Sequence, residues 1–284
     1  MEYFAPTQAS EASALLKKEG AYVLAGGTDL LVKLKSRMLK PNVVIDLKAL
    51  PKIKAIEKTA SAWWIGAATP CAEITEHEEL TKEWPGVCEA LGLIGSTQIQ
   101  GRASLGGNLC NASPAADSVP AVIAANTICV IATENGERED LVENIVLSPG
   151  VTSLKPGEFI LGFKLPRSQG RSGDSYLRLI PRTEMDIAVV GVGVSLSLDK
   201  AGNLETIRVC LGAVAPRQVL LPDLQKTCIG KQPSEELVQT LVELARKACS
   251  PINDKRGTVD YRTTVAGVLT KRAFKIALER AQAK

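Results

Sequence analysis

Two glycine-rich turns constrain the fold of this chain more than any other feature. The first is Ala25-Gly26-Gly27-Thr28-Asp29-Leu30, which follows a short apolar run and opens a helical pattern. Glycines let a backbone approach a ligand closely, and the unpaired amides at the start of a helix can bind phosphate oxygens. Thr28 would add a hydroxyl donor, whereas Asp29 would repel a phosphate unless it faces away or caps the helix. A purely structural strand-to-helix turn explains the same residues.

The second glycine-rich segment spans residues 101–117 and contains Ser104, Gly106, Gly107 and Asn108. Its glycines, asparagines and serines are too polar for a core strand, and they predict a loop whose backbone forms hydrogen bonds. The alternative is an ordinary loop followed by a helix that Asp117 caps. Together, the two segments suit a ligand whose pyrophosphate is held from both sides.

The first half of the chain alternates short helices and strands. A helix over Thr7–Lys18 ends near Gly20 and leads into a strand at Ala21–Ala25, the first glycine turn and a second helix. Branched and aromatic residues predict further strands, and Asn135-Gly136 predicts a hairpin. The other predicted elements are strands at 42–47, 61–66, 128–133 and 158–165, and helices at 71–80, 85–94 and 119–125.

The C-terminal third reads as an antiparallel sheet covered by helices. The segment Pro166–Gly173 has the composition of a linker between domains. Beyond it, strand-like runs at 176–180, 187–198 and 204–214 precede an amphipathic helix that starts at Ser234 and a last helix over Tyr261–Ala283. This order predicts an α+β fold.

Composition excludes several classes of function. The chain has 34 basic and 31 acidic residues, so nothing draws it strongly to nucleic acid or to an anionic membrane. No apolar stretch approaches the roughly 20 residues of a membrane span, and the first residues do not resemble a signal peptide. We therefore expect a cytoplasmic protein.

Cysteine and histidine are too sparse for a metal site in this chain. The seven cysteines are scattered without any Cys-x-x-Cys pair, which disfavours disulfides, zinc and iron–sulfur ligation. The single histidine, His77, stands among glutamates and predicts a plain surface residue. Cys110, in the second glycine segment, is either a buried small residue or a thiol whose pKa phosphate-binding amides would lower.

The two glycine motifs together resemble a known family. Residues 25–30, 103–108 and 111–117 are similar to the two FAD motifs of the xanthine dehydrogenase and carbon monoxide dehydrogenase flavoproteins. The resemblance continues through Tyr176-Leu177-Arg178, residues 184–188, residues 211–216 and Tyr261-Arg262. It covers nearly the whole chain in the right order.

The resemblance implies a vanillyl-alcohol-oxidase-type (PCMH) FAD-binding domain over residues 1–170, with subdomains of about 1–57 and 58–170. A C-terminal α+β flavoprotein domain over 174–284 would follow. Residues 25–30 and 104–108 would hold the FAD pyrophosphate, and Asp117 would accept hydrogen bonds from FAD hydroxyls. Ile160 and Leu161 would pack near the flavin or the adenine. Arg178 matches a position where relatives often carry a lysine facing the cofactor, although a surface arginine on a strand edge explains it equally.

The resemblance also implies partner chains. Neither iron–sulfur ligands nor a molybdenum domain are encoded here, so a small subunit with two [2Fe–2S] clusters and a large molybdopterin subunit would supply them, in a dimer of three-subunit units. FAD in this chain would pass electrons from the clusters to an external acceptor. Two alternatives are a self-contained flavin oxidase or dehydrogenase, and a flavin-free subunit that only assembles the complex.

Overall fold

The computed structural model describes residues 1–284, and its N-terminal part is a small parallel sheet with two helices. The strands lie in the order β1-β3-β2. Leu24 at the end of β2 pairs with Asp46 at the end of β3. Because the strands are parallel, the first glycine turn and the residues after β3 lie at the same edge of the sheet. These elements are β1 (Glu2–Phe4), α1 (Ala9–Leu16), β2 (Ala21–Leu24), α2 (Leu30–Lys35) and β3 (Val43–Asp46).

A five-stranded antiparallel sheet forms the second part. Its order is β4-β5-β10-β6-β7, and β8 and β9 form a separate small ribbon. The predicted hairpin at Asn135-Gly136 is confirmed as the connection of β6 to β7. The bounds are β4 (Ile56–Lys58), β5 (Ala62–Gly66), β6 (Ile128–Thr133), β7 (Gly136–Leu141), β8 (Val146–Ser148), β9 (Val151–Thr152) and β10 (Phe159–Pro166).

Six short helices connect β5 to β6, and four of them differ from the sequence prediction. The single helix predicted over residues 71–80 is wrong: it is two helices separated at His77. His77 has an extended backbone, and its Nδ1 accepts a hydrogen bond from the Leu80 amide at 3.3 Å. The helices are α3 (Cys71–Thr75), α4 (Glu78–Glu83), α5 (Pro85–Gly92), α6 (Thr97–Gln100), α7 (Leu105–Cys110) and α8 (Ser118–Ala124).

His77 is therefore more than a plain surface residue. Besides capping α4, its ring packs edge-on against buried Trp63, with ring centroids 5.2 Å apart. The glutamates around His77 suggested full exposure, but β5 brings Trp63 against its ring.

The second glycine segment also differs from the predicted loop, because its central residues form α7. Ser104 caps this helix by accepting a hydrogen bond from the Gly107 amide at 3.2 Å. Two adjacent glycines weaken a helix in isolation. Here Leu105 and Leu109 are fully buried, and their packing stabilises the helix.

The C-terminal part confirms the predicted antiparallel sheet and its covering helices. Ser234 caps α10 through the Leu237 amide at 3.2 Å. The linker predicted at Pro166–Gly173 is too long, because β11 already begins at Arg171 and pairs with β12. The bounds are β11 (Arg171–Leu179), β12 (Val190–Leu198), β13 (Leu204–Gly212), β14 (Val219–Leu220), α9 (Leu224–Cys228), α10 (Glu235–Ala248) and α11 (Val259–Gln282).

The α+β class is thus confirmed, with one apolar core under the five-stranded sheet and a second between β11–β14 and the last two helices. No helix is both long and apolar enough to span a membrane.

A buried carboxylate joins the C-terminal sheet to the helices of the first half. Asp174 on β11 is 4% exposed and accepts a hydrogen bond from the Val87 amide, at the start of α5, at 2.9 Å. Its Oδ1 has no partner. Burial raises the pKa of Asp174 to about 7, against the opposing effect of the helix amides.

We expect Asp174→Asn to remove part of the pH dependence of stability. The native pKa of about 7 lies above the unfolded value, so the stability contributed by the protonated form is full below about pH 4 and is lost as the pH rises through 7. Asparagine keeps an acceptor for Val87 without the charge. Denaturant unfolding at pH 5 and pH 8 should show a smaller loss of stability for Asp174→Asn than for the wild type. Asp223→Asn, at an exposed position, should behave as the wild type does; equal losses in all three proteins would contradict the prediction.

Candidate functional site

A cavity of about 370 Å³ lies between the two glycine segments. It collects most of the residues that the sequence singled out, from three separate stretches of chain. Asp117, Leu161 and Arg178 do not line it. The residues that do are Ala25, Gly26, Gly27, Thr28, Asp29, Leu30, Ser104, Gly106, Gly107, Asn108 and Ile160.

The two glycine segments contact each other directly at the cavity. A Cβ atom on Gly26 would lie 1.8 Å from the carbonyl oxygen of Arg102, so only glycine fits there. The side chain of Asn111 links the segments as well. Its Nδ2 donates to Asp29 at 3.2 Å, and its Oδ1 accepts from Lys33 at 2.7 Å. The Asp29 carboxylate is therefore held by Asn111 and keeps its negative charge.

The first turn presents unused backbone donors. The amides of residues 26–30 form no hydrogen bond with any protein group. Gly27 adopts φ +81, a conformation that favours glycine and that turns the chain from β2 into α2. Five consecutive free amides beside a cavity are a suitable binding site for an anionic group such as a pyrophosphate.

The second segment contributes differently, because the amides of residues 106–108 already donate hydrogen bonds within the protein. The Gly106 amide donates to the Ala67 carbonyl at 3.1 Å, and the Gly107 and Asn108 amides donate to Ser104. A Cβ atom on Gly106 would lie 2.6 Å from the Ala67 carbonyl oxygen. The glycines of this segment thus bring the backbone of α7 close to the cavity wall, opposite the first turn.

The remaining wall is mostly apolar. Leu47, Ile94, Phe159 and Ile160 are at most 9% exposed and line the cavity beside the glycine segments. Lys33 and Glu158 are charged exceptions, and the Glu158 carboxylate pairs with Arg138 at 2.8 Å. That hydrogen bond lowers the pKa of Glu158 and keeps the carboxylate ionised. An apolar wall facing free amides suits a ligand with both an aromatic ring and phosphates.

Asp117 lies at a buried junction between the two halves of the chain. Its carboxylate accepts hydrogen bonds from Tyr176 at 3.0 Å and from Arg178 at 2.6 Å. Burial raises the pKa of Asp117 to about 6, although Arg178 and Tyr176 oppose the shift. Its side chain does not cap α8, so the alternative of an Asp-capped helix is wrong.

Arg178 is buried rather than a surface residue on a strand edge. Its side chain is 6% exposed, and its Nε has no hydrogen-bond partner in the protein. An unsatisfied buried donor is costly, so a polar ligand atom near it would be stabilising. The junction connects to the cavity wall through Ser118, whose hydroxyl donates to Asn108 at 2.7 Å.

Cys110 lines the cavity and is exposed, so the expectation of a buried small residue is wrong. The alternative of a thiol with a lowered pKa is wrong as well, because desolvation by the surrounding atoms raises the pKa of the thiol to about 12. It is the last residue of α7. No group of three or more His, Cys, Asp or Glu side chains is arranged to hold a metal ion.

Two family models match the chain over almost its full length. Residues 1–168 match the model described as the FAD binding domain in molybdopterin dehydrogenase. This chain belongs to that family. Residues 175–277 match the C-terminal domain of the carbon monoxide dehydrogenase flavoprotein. The protein is accordingly a FAD-binding subunit of an oxidoreductase, and the cavity between its glycine segments is the candidate FAD site.

Relatives and solved structures agree with this assignment. The chain is 32% identical to the carbon monoxide dehydrogenase medium chain of Hydrogenophaga pseudoflava, over 98% of this chain and 97% of the relative. It is 25% identical to a putative xanthine dehydrogenase FAD-binding subunit of Escherichia coli, over 99% and 96%. A solved structure of the Hydrogenophaga pseudoflava carbon monoxide dehydrogenase covers 99% of this chain and 98% of its own chain, with a TM-score of 0.93 and 30% identity.

Sequence reasoning missed the residues that link the two glycine segments. Lys33 was not singled out, and Asn111 belonged to the motif at 111–117 without a role of its own, yet both join the segments at the cavity. A signal for Lys33 existed, because it follows Asp29 by four residues and so shares its helix face. No sequence signal paired Asn111 with Asp29, since they are distant in the chain.

Proposed function

We propose that this chain holds one FAD non-covalently in the cavity and serves as the electron relay of a heteromeric molybdenum hydroxylase. The free amides of residues 26–30 facing an apolar wall carry this proposal. Bound FAD supplies the exchange between single electrons and electron pairs. The chain itself binds, orients and shields the cofactor.

Each part of the site has an assigned role. Residues 25–30 bind the pyrophosphate with their amides, and residues 104–108 close the opposite side. Ile160 would pack against an aromatic ring of the cofactor. Leu161, Asp117 and Arg178 lie outside the cavity lining, so this proposal has the cofactor extend beyond the cavity to reach them. There Leu161 would pack near a ring, Asp117 would accept hydrogen bonds from cofactor hydroxyls, and Arg178 would face the cofactor with its unsatisfied Nε.

Both carboxylates that line the cavity have hydrogen-bond partners within the protein. Asp29 is paired with Asn111, and Glu158 is paired with Arg138. The only histidine caps α4 and packs on Trp63. This arrangement supports a positioning role over a self-contained flavin dehydrogenase.

The partners in this proposal are a small subunit with two [2Fe–2S] clusters and a large molybdopterin subunit, in a dimer of heterotrimers. Two relatives are named as a medium chain and as a FAD-binding subunit, which supports a multi-subunit assembly. Residues 1–170 would form the FAD-binding domain and residues 174–284 the C-terminal domain. A cytoplasmic location completes the proposal.

We expect the isolated chain to bind FAD and to show at most slow diaphorase activity with artificial acceptors. Because it lacks a substrate site, no organic substrate should bleach its flavin absorption. Adding the cluster-bearing and molybdenum-bearing partners should restore flavin reduction by substrate, as followed by stopped-flow absorption. Rapid flavin reduction by substrate in the isolated chain would contradict the relay, and a chain without flavin absorption would favour an assembly role.

A further inference from the structure

A lysine lies directly behind the first glycine turn, outside the cavity. The Nζ of Lys48 donates a hydrogen bond to the carbonyl oxygen of Ala25 at 3.1 Å. Its side chain is 27% exposed, and the residue does not line the cavity. Lys48 therefore contacts the turn from outside the cavity.

The sheet register explains why Lys48 reaches this carbonyl. Leu24 pairs with Asp46 in the parallel strands, so Ala25 continues beside the residues that follow Asp46. A short 3₁₀ turn then brings the Lys48 side chain back across the end of β2. The contact is a consequence of two adjacent parallel strands ending together.

Asp46 holds the lysine in place. Its Oδ1 pairs with the Lys48 Nζ at 2.7 Å and also accepts the Lys48 amide at 3.0 Å. Its Oδ2 accepts the hydroxyl of Tyr3 at 2.7 Å. Burial disfavours the charge of Asp46, but the hydrogen bonds from Lys48 and Tyr3 outweigh it and lower its pKa. The ammonium group is thus anchored on one side and donates to Ala25 on the other.

Because Lys48 holds the Ala25 carbonyl, it also sets the orientation of the peptide group between Ala25 and Gly26. No peptide bond in the chain is cis, and in a trans peptide the carbonyl and the next N–H point in opposite directions. A carbonyl held by Lys48 therefore turns the Gly26 N–H away from the lysine. That N–H has no partner in the protein, and Gly26 lines the cavity.

We propose that Lys48 is a positioning residue that orients the Gly26 N–H towards the diphosphate of the bound dinucleotide. The inference rests on the proposed FAD site and deepens it. Lys48 acts through the peptide and does not touch the ligand. Lys48 should raise the affinity only for ligands with a diphosphate, because only the diphosphate accepts the hydrogen bond from the oriented Gly26 N–H.

The test compares ligands with and without a diphosphate on the full-length apo-protein. For Lys48→Met we expect FAD and ADP to bind about tenfold more weakly, the usual effect of losing one well-oriented hydrogen bond to a charged group. Riboflavin, which has no phosphate, should bind as it does to the wild type. Lys48→Arg keeps a cationic donor and should restore most of the FAD affinity. Titration calorimetry or flavin fluorescence gives each Kd.

Lys52→Met is the matched control, because Lys52 is close in sequence but pairs with Glu57 at the surface. It should leave all three affinities unchanged. Thermal unfolding of each apo-protein shows whether a variant is folded, and Lys48→Gln replaces Lys48→Met with the same three ligands if the latter does not fold.

Three outcomes would overturn the inference: unchanged FAD affinity in Lys48→Met, an equal loss for riboflavin and FAD, or no recovery in Lys48→Arg. An equal loss for all ligands would mean that Lys48 only stabilises the fold. If the wild type binds neither FAD nor ADP, the proposed function itself fails, which is a separate result.

Discussion

Gly26→Ala is expected to abolish the retention of FAD. Its methyl group would lie 1.8 Å from the Arg102 carbonyl oxygen, which belongs to backbone and cannot rotate away. The first turn must then move away from the second segment, and the free amides leave their positions beside the cavity. Purified protein should show no visible flavin absorption, and added FAD should not be retained on gel filtration.

Gly101→Ala is the matched control, because a Cβ atom there meets only the Gln98 carbonyl oxygen at 3.7 Å. It should keep the flavin content of the wild type. Circular dichroism must show that Gly26→Ala is folded, since an unfolded chain would lose flavin for another reason. Normal flavin content in a folded Gly26→Ala protein would contradict the assignment of the site.

The effect of replacing the other glycines on flavin content should depend on the space around each of them. Gly27→Val should also lose FAD, because φ +81 strains any β-branched residue. Gly107→Val should have a milder effect, because a Cβ atom on Gly107 approaches only the Ser104 hydroxyl, at 3.2 Å. The flavin content should therefore be lower in Gly26→Ala and Gly27→Val than in Gly107→Val.

Asp117→Ala is expected to destabilise the chain by about 3–5 kcal/mol and to weaken FAD binding by about 1–3 kcal/mol. The first loss arises because Arg178, whose side chain is 6% exposed, would keep a buried charge without its partner. The second arises because cofactor hydroxyls would lose an acceptor. Denaturant unfolding of the apo-protein and calorimetry with FAD measure the two separately.

A double variant distinguishes the cost of an unpaired buried charge from the cost of losing the side chains themselves. Asp117→Ala combined with Arg178→Met leaves no unpaired charge, so it should recover part of the stability lost in Asp117→Ala. Glu57→Ala, which removes half of the exposed pair with Lys52, should change the free energy of unfolding by under about 1 kcal/mol. A loss in Asp117→Ala no larger than in Glu57→Ala would contradict the buried pair.

Local patterns were enough to predict most of the strands and long helices. The strand at residues 128–133 and the helix beginning after Ser234 agree with the structure because each follows from adjacent residues: branched apolar side chains in the first, and a cap with an apolar stripe in the second. Short elements such as β1, β4 and β14 were missed, since two or three residues carry no periodicity and form strands only by pairing with distant partners.

The break at His77 and the helix α7 are two further features that local sequence patterns did not predict. The sequence around residues 71–80 is compatible with one continuous helix, and the break becomes visible only when His77 packs on Trp63. The glycines of α7 argue against a helix until Leu105 and Leu109 are buried in the core.

The sequence by itself determined the order of the longer strands and helices, the two glycine segments and the family, because these depend on residue types at fixed spacings along the chain. The tertiary structure alone decided which donors remain free and which groups meet. It assigned the free amides to the first turn, and it paired Asp117 with Arg178 and Lys48 with the Ala25 carbonyl. Those contacts depend on sheet register and packing between distant segments, which no local spacing encodes.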